Sequence, residues 1–344
     1  MGMLMPEVSL ARIDLQKHLD NLSRSFAFCI AQLPAGFKEA VGISYLLFRF
    51  LDTIEDSAWS HSEAQAQAYA TFRKNVLNPF TPQPWSEIFK AASLNQHEKE
   101  LLQDIDLLFI EFSSLNISVQ KIISNGLLSM ESGMRHFSNK NFRPKNLKEV
   151  NQYCFFVAGI VGELLEELFQ QHSQLKDRQQ HLVPAVHFGL FLQKVNILKD
   201  QVVDEAEGRF WVHDRNEILR SLRLHGEQAF AYLQSLPLVH RGYRLFCAWS
   251  LFIGLANLPL YEQGFKQKKS KKMGRFRTLI LIDRIKRKID FPQELEIEFE
   301  GYFSKAFKSE SHIDYHESFE DNGIIMKLYQ GQLSVPQLTQ LNVL

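Results

Sequence analysis

Asp52, Glu55 and Asp56 fall within one short run of SYLLFRFLDTIED, and Asp200 and Asp204 stand four residues apart in GLFLQKVNILKDQVVD. Carboxylates at three- and four-residue spacing lie on one face of a helix. Hard oxygen ligands in that arrangement suit Mg²⁺, which binds through a few carboxylates and completes its shell with water and substrate phosphates. A metal-bridged diphosphate is a good leaving group, because the metal neutralises the charge that develops on its oxygens. Arg24, in the early SRSF segment, and Arg49 are candidates for bidentate phosphate contacts. The chemistry implied is Mg²⁺-assisted ionisation of an allylic diphosphate. A metal-dependent phosphohydrolase would need the same ligands, and these motifs alone do not separate the two.

Two helices must position these groups. The first is read over Ala35–Trp59, where Ile43, Leu47, Phe50 and Ile54 form an apolar stripe. Tyr45, Arg49, Asp52 and Asp56 repeat that spacing on a second face about 200° around the helix, with Glu55 beside Asp56. Taken alone, a DxxED run is ordinarily a solvated helix face. The second helix is read over Pro184–Asp204, with Phe191, Val195, Leu198 and Val202 on its apolar side. Gly189, Gln193, Asn196, Asp200 and Asp204 run opposite them. Solvated faces more often use Lys and Glu, so the competing reading here is an internal polar network.

The rest of the chain reads as long segments with apolar residues at helical spacing. They are separated at Asn78–Ser86, Ser138–Lys148, Asp204–Asp214 and near Pro237, with no repeat of fixed period. This predicts one all-α domain over residues 1–290. A more polar extension follows over 291–344, expected as a helix and then a mobile segment.

Composition narrows the function classes. The 344 residues carry 39 Lys+Arg against 39 Asp+Glu, which argues against a generic nucleic-acid binder. With 45% apolar and 23% charged residues the chain is a folded one. Cys29, Cys154 and Cys247 are far apart and in no CxxC spacing, which suits a reducing, cytoplasmic compartment and excludes a disulfide framework. The start of the chain has no signal-peptide pattern. The apolar run Leu245–Tyr261 is broken by Ser250, Asn257 and Pro259, so it reads as a buried core helix and not a transmembrane anchor. Lys266–Arg277 (KQKKSKKMGRFR) holds seven basic residues. By default that is a solvated turn; the alternatives are the 2′-phosphate of NADPH or anionic lipid. No GxGxxG is present, so a nicotinamide site would not be of the Rossmann type. The twelve His show no paired spacing and are assigned nothing.

Four blocks carry a resemblance to the squalene/phytoene synthase family of head-to-head prenyltransferases: LSRSFAFCIAQLP with AVGISYLLFRFLDTIED; MESGMRHF; YCFFVAGIVGELL; and GLFLQKVNILKDQVVD with GRFW. They span Leu22 to Trp211 in the family's order, and a weaker block, FCAWSLFIGLANL, follows. SRSF, LFLQK and FCA look more like the squalene branch than the phytoene branch, whereas VAGIVGELL looks more like the dehydrosqualene enzymes. The resemblance implies a single isoprenoid-synthase helical bundle around a deep apolar cavity, with two Asp-rich helices at its mouth. It implies that Asp52, Glu55 and Asp56 form a first Mg²⁺-diphosphate site, and Asp200 and Asp204 a second, with Asn196 and Gln193 beside it. Ser23, Arg24, Tyr45 and Arg49 match diphosphate-contacting positions, and Lys199 stands at another. Tyr153 matches a proton-transfer tyrosine, and Arg209 a basic residue on the flap after the second motif.

The implied reaction condenses two farnesyl diphosphates through presqualene diphosphate, and hydride from NADPH then yields squalene. Siblings that stop at dehydrosqualene, hydroxysqualene or phytoene are the alternatives. A non-catalytic relative acting as an assembly protein is the third, although such relatives lose the Asp motifs. A carbocation survives only where water is excluded, and aromatic faces stabilise it. Phe26, Phe48, Phe156, Val157 and Gly162 are the expected cavity residues, each Phe being plain core by default. For Gly159 and Gly162, close helix packing and space for a prenyl chain are equal readings. Two departures from the family's NIxRDxxED stand out. Lys199 replaces an arginine, losing the planar fork, and Val203 replaces a glutamate. Peripheral membrane contact is expected where the apolar product leaves.

Overall fold

The computed structural model describes residues 13–137, 143–175, 179–212 and 214–308. The chain divides into two compact units, Met1–Ala27 with Glu39–Leu127, and Phe28–Lys38 with Leu128–Leu344. Helices α1 (Leu15–Leu22), α2 (Arg24–Ile30), α3 (Ala35–Asp56), α4 (Ser62–Leu77), α5 (Trp85–Ile88), α6 (Gln96–Gln103), α7 (Ile105–Ser114) and α8 (Ile117–Phe137) come first. Helices α9 (Leu147–Cys154), α10 (Ile160–Ser173), α11 (Leu182–Ala206), α12 (Arg215–Ser235), α13 (Arg241–Lys266), α14 (Arg275–Lys288) and α15 (Pro292–Ala306) follow. Among the described residues the only strands are β1 (Ala58–Trp59) and β2 (Ala92–Ser93), which pair antiparallel. The all-α expectation therefore holds, and each proline- or asparagine-bearing break falls between two helices.

In the first unit the α3 stripe is core: Ile43, Leu47, Phe50 and Ile54 are fully buried. Phe50 meets Trp85 edge-on at 5.0 Å, and the Trp85 indole donates to Asn75 Oδ1 at 3.1 Å. Helix α3 stops at Asp56, short of the expected Trp59, because Ala58 and Trp59 leave the helix to pair with β2. The Trp59 indole and the Gln65 amide then donate to the freed Ile54 carbonyl, each at 2.9 Å. This satisfies an end that a helix leaves without internal partners.

In the second unit α11 is the central helix. Gly162 faces it so closely that a Cβ there would lie 2.0 Å from the Ala185 carbonyl oxygen. A Cβ on Gly189 would meet the Ala158 carbonyl oxygen at 2.1 Å. Both glycines serve backbone-to-backbone packing of α11 against the rod that contains α10, which corrects the expectation that Gly162 lines a cavity. Helices α11 and α12 also share a fully buried polar chain. Lys194 Nζ donates to Ser221 Oγ and to His225 Nε2, the latter at 2.8 Å, and His225 Nδ1 lies 2.7 Å from His187 Nδ1. Since the ammonium can only donate, His225 must accept at Nε2 and carry its proton on Nδ1. His187 therefore accepts at Nδ1 and is protonated at Nε2. Burial, reinforced by the Lys194 charge, pushes His187 down to about 3 and His225 well below the usual range. Helix α13, the one described helix long and apolar enough to cross a membrane, is mostly buried within this unit. That agrees with its reading as core.

The expected boundary at residue 290 does not hold. Helix α15 buries Leu295, Phe299 and Phe303, and Phe299 stacks on Phe230 of α12 with ring centroids 4.0 Å apart. Its glutamates keep the other face polar, so composition alone reads it as an appendage. Residues 309–344 lie outside the described residues.

Two outcomes follow from this packing. Gly162→Ala should destabilise the fold by about 3 kcal/mol or more, because the opposing atom is backbone and cannot rotate away; urea denaturation reads this. The histidine pair binds fewer protons folded than unfolded. Its contribution to stability is complete above about pH 6.5 and is lost as the pH falls toward 3. Imidazole ¹⁵N shifts should show His225 protonated at Nδ1 and His187 at Nε2, both still neutral at about pH 5.

Candidate active site

Between Val41 and Asp56 every residue of α3 is buried except Tyr45, Arg49, Asp52, Glu55 and Asp56. These five form one open seam on an otherwise enclosed helix. An ordinary amphipathic helix leaves half its circumference to water, so the solvated-face reading fails on burial. Along the seam the Tyr45 hydroxyl is hydrogen-bonded to Ser23, and its ring lies 5.8 Å from that of Phe26. Arg49 reaches toward Asp52 at 3.7 Å and toward Glu98 of α6 at 3.6 Å, while its Nε is buried with no partner among the described residues. Glu98 is held in turn by a capping box with Asn95 at the start of α6. The Arg24 side chain lies outside the described residues.

The electrostatics of this seam are unfavourable. Burial raises Asp52 to about 7, Arg49 lowering it in part and Asp56 raising it further. Yet 36% of the Asp52 side chain is open, so the group is recessed and reachable at once. Burial, then Asp56 and Asp52, push Glu55 well above the usual carboxylate range. All three acids stand in the last two turns of α3, where the helix dipole is negative and a cation would be preferred. A divalent cation with a phosphate group would supply positive charge to the raised carboxyls of Asp52 and Glu55 and an acceptor to Arg49 Nε. The residues present fit Mg²⁺-diphosphate at this seam.

In the second unit Asp200 and Asp204 lie one turn apart on α11, partly open, with Gln193 and Asn196 on the preceding turns. Lys199 Nζ bridges Asn196 Oδ1 at 3.2 Å and Asp200 Oδ2 at 3.0 Å. Asp204 is held by Arg209, whose Nη2 lies 2.6 Å from Oδ1. Gly208, at φ +81°, makes the turn that brings Arg209 back. The chain's own cations thus neutralise these two carboxylates. Asp200 in turn helps push the buried Tyr261 hydroxyl up to about 12, after burial itself. Val203 is 46% exposed, so the missing glutamate would have faced solvent. Among the described residues no three acidic, histidine or cysteine side chains stand as a ready-made metal cage. Mg²⁺ does not need one when water and substrate oxygens complete its shell.

Tyr153 stands in the last turn of α9 and is buried. Its ring stacks on Trp211 at 4.1 Å and meets Phe137 edge-on at 5.8 Å. Immediately after it, Phe155–Gly159 forms a π-helical turn, a feature that recurs at functional sites because it re-aims side chains. Phe156 is buried in the place left by Gly133, whose Cβ would sit 2.4 Å from it. Val157 is half-buried, and Phe48 is buried on α3. Three participants received no role from the sequence: Glu98, and Trp211 and Gly133, which stand inside the GRFW and MESGMRHF blocks. For Glu98 the local signal is the Asn95-x-x-Glu98 capping pattern, and it says nothing about Arg49. Glu163, on α10, is likewise unassigned by pattern; burial and Glu167 raise it to about 7.

A family model described as squalene/phytoene synthase matches residues 19–212. The squalene synthase of Schizosaccharomyces pombe is 35% identical over 201 residues, covering 56% of this chain and 42% of that protein. The squalene synthase of Bos taurus is 34% identical over 198 residues, covering 57% and 45%. That of Dictyostelium discoideum is 31% identical over 226 residues, covering 64% and 51%. The matched region thus spans about half the length of these relatives. A solved complex of TcSQS with a ligand superposes with a TM-score of 0.72 at 24% identity, covering 95% of this chain and 98% of that one. A dehydrosqualene synthase complex gives 0.56 at 18% identity, covering 80% and 95%. Both show a shared fold.

The seam makes a measurable demand on pH. Asp52 must lose its proton before it can bind a metal. Affinity for Mg²⁺ in the presence of inorganic diphosphate should therefore weaken by up to about tenfold per unit below roughly pH 7. Titration calorimetry of the wild type and of Asp52→Asn checks this, the variant being expected to show a shallower dependence, with Glu55 still to be deprotonated.

Proposed function

Because the chain belongs to the squalene/phytoene synthase family, we propose that it condenses two farnesyl diphosphates head to head through presqualene diphosphate and reduces the product to squalene. The observation that carries this reading is the α3 seam. It combines recessed carboxylates with raised pKa values and a guanidinium whose Nε lacks an acceptor. Asp52, Glu55 and Asp56 would hold Mg²⁺ against the substrate diphosphate. When bound, the metal supplies positive charge to the departing diphosphate. Arg49, oriented by Glu98, would take a phosphate oxygen at Nε, and Tyr45 with Ser23 would add hydroxyl contacts. Arg24 is assigned to the same group by motif.

Asp200 and Asp204 would serve a second metal-diphosphate, with Gln193 and Asn196 beside them. Lys199 and Arg209 would then exchange their carboxylate partners for phosphate oxygens. A lysine offers a point charge there where the family's arginine offers a fork. Tyr153 would move the proton in the first half-reaction, its ring held flat by Trp211. Phe156 with Phe137, and Phe26 beside Tyr45, offer aromatic faces to a cation. The exposed Lys266–Lys272 stretch would hold the 2′-phosphate of NADPH, the hydride donor. Buried thiols at Cys29 and Cys154, both raised to about 12, suit a reducing cytoplasmic setting. Contact with a membrane follows from the apolar product.

A second reading, a sibling that stops at dehydrosqualene or hydroxysqualene, is favoured by Lys199 and Val203 in the second motif. Incubation with farnesyl diphosphate, with and without NADPH, separates the two by product mass. Squalene made without reductant, or phytoene alone from geranylgeranyl diphosphate, would sink the leading version. The double variant Asp52→Asn, Asp56→Asn should keep its circular dichroism while losing more than about 100-fold of its diphosphate release. Unchanged release would refute the metal assignment and leave the assembly-protein reading.

A further inference from the structure

Helix α1 touches both α3 and α6 through residues of the first unit, and of its own residues only His18 and Leu19 are buried. Leu19 lies on α3, where a Cβ on Gly42 would meet its Cδ1 at 3.5 Å. His18 donates from Nε2 to Asp104 Oδ2 at 2.8 Å, since a carboxylate only accepts. Its Nδ1 is buried and has no partner among the described residues. An apolar side chain would fill that place without leaving a polar atom unsatisfied. Asp104, between α6 and α7, is equally unusual. An Asp at a helix N-cap ordinarily accepts from the first backbone N–H groups of that helix. Here it makes no such bond to α7 and keeps its carboxylate on His18. Two local preferences are set aside for one contact between residues 86 positions apart.

That contact holds the start of the seam. Ser23 caps the end of α1, its N–H bonded to the Leu19 carbonyl at 2.9 Å, and its own carbonyl accepts from Ala27 N–H in α2 at 2.8 Å. Its side chain is hydrogen-bonded to Tyr45. Asn21 adds a second tie between α1 and α6, its Nδ2 donating to Glu100 at 3.2 Å. Earlier on α6, Glu98 faces Arg49. One helix thus holds both arms of the seam, Arg49 directly and Ser23 by way of α1. We propose that His18 is a positioning residue for diphosphate binding. Its bond to Asp104 fixes α1 against the end of α6, and so keeps Ser23 at Tyr45. Groups that grip a phosphate must be held to a fraction of an ångström, and polar contacts behind them provide that support. The proposal rests on the reading of Ser23, Tyr45 and Arg49 as phosphate contacts.

The test is titration calorimetry of the full chain with inorganic diphosphate in excess Mg²⁺, alongside steady-state rates with farnesyl diphosphate and thermal melts. His18→Leu and Asp104→Ala should each weaken diphosphate affinity about 10-fold and raise KM for farnesyl diphosphate more than they lower kcat. The two together should weaken it no further than either alone, because they remove the same bond. In His18→Gln the amide nitrogen takes the place of Nε2, and in Asp104→Asn the amide oxygen still accepts. Both should recover affinity to within about twofold of the wild type. A role in folding alone predicts a lower melting temperature with diphosphate affinity unchanged, and that result would overturn the proposal. So would additive losses in the double variant, or failure of both conservative variants to recover. The Asp104 side chain is 39% exposed, so Asp104→Ala carries the test even where His18→Leu does not fold. A wild type that binds no diphosphate would overturn the reading of the seam and this proposal with it. Wild-type binding matched by every variant would overturn this proposal alone.

Discussion

Carboxylates at the negative end of a buried helix repel one another and the helix's own carbonyls, and α3 carries three of them. At Asp52 the Arg49 charge lowers the pKa, but burial outweighs it. Arg49 is shared with Glu98 at distances beyond a close ion pair, and its Nε has no acceptor. The surroundings hold the arrangement in place: a fully buried apolar stripe, the indole and amide that cap the Ile54 carbonyl, and the capping box that fixes Glu98. The cost of gathering these acids is met by packing, and a bound cation would relieve it. That tension separates a binding site from a solvated helix face.

Helix α11 solves a different problem with related chemistry. One side carries Lys194 in a closed chain of donors and acceptors with Ser221, His225 and His187, every member buried. Another side presents Asp200 and Asp204, each matched to a cation of its own chain. The internal polar network weighed for this helix therefore exists, but one position away, through Lys194 and not through Gln193 or Asn196. Glycines at 162 and 189 let neighbouring backbone approach so closely that the helix has little freedom to shift. Rigid placement of this kind is what a partly open pair of carboxylates requires of its scaffold.

Several features were legible without coordinates. The stripes on α3 and α11, the breaks between helices and the buried character of α13 all follow from periodicity, because a helix repeats its faces every 3.6 residues. The misjudged parts involve residues distant in sequence. Phe299 on Phe230 makes α15 part of the core, yet its glutamate-rich outer face dominates its composition. Gly162 looked equally suited to a cavity or to a helix contact until Ala185 was found across from it. Trp211 beside Tyr153 joins residues 58 positions apart, as 211 − 153 shows, and no local pattern announces such a pair.

By itself the sequence determined which residue types stand on which helix face. It also determined the family, through motifs whose order and spacing survive in the chain. It placed Asp52, Glu55 and Asp56 on one side of a turn, since backbone geometry alone dictates that. Only the tertiary structure decided that this side is the single open seam of an enclosed helix. Only it raised Asp52 to about 7, through burial that no linear pattern encodes. It also decided that the other acidic pair is neutralised from within. Burial and charge compensation depend on what surrounds a side chain in space, and those surroundings come from distant parts of the chain.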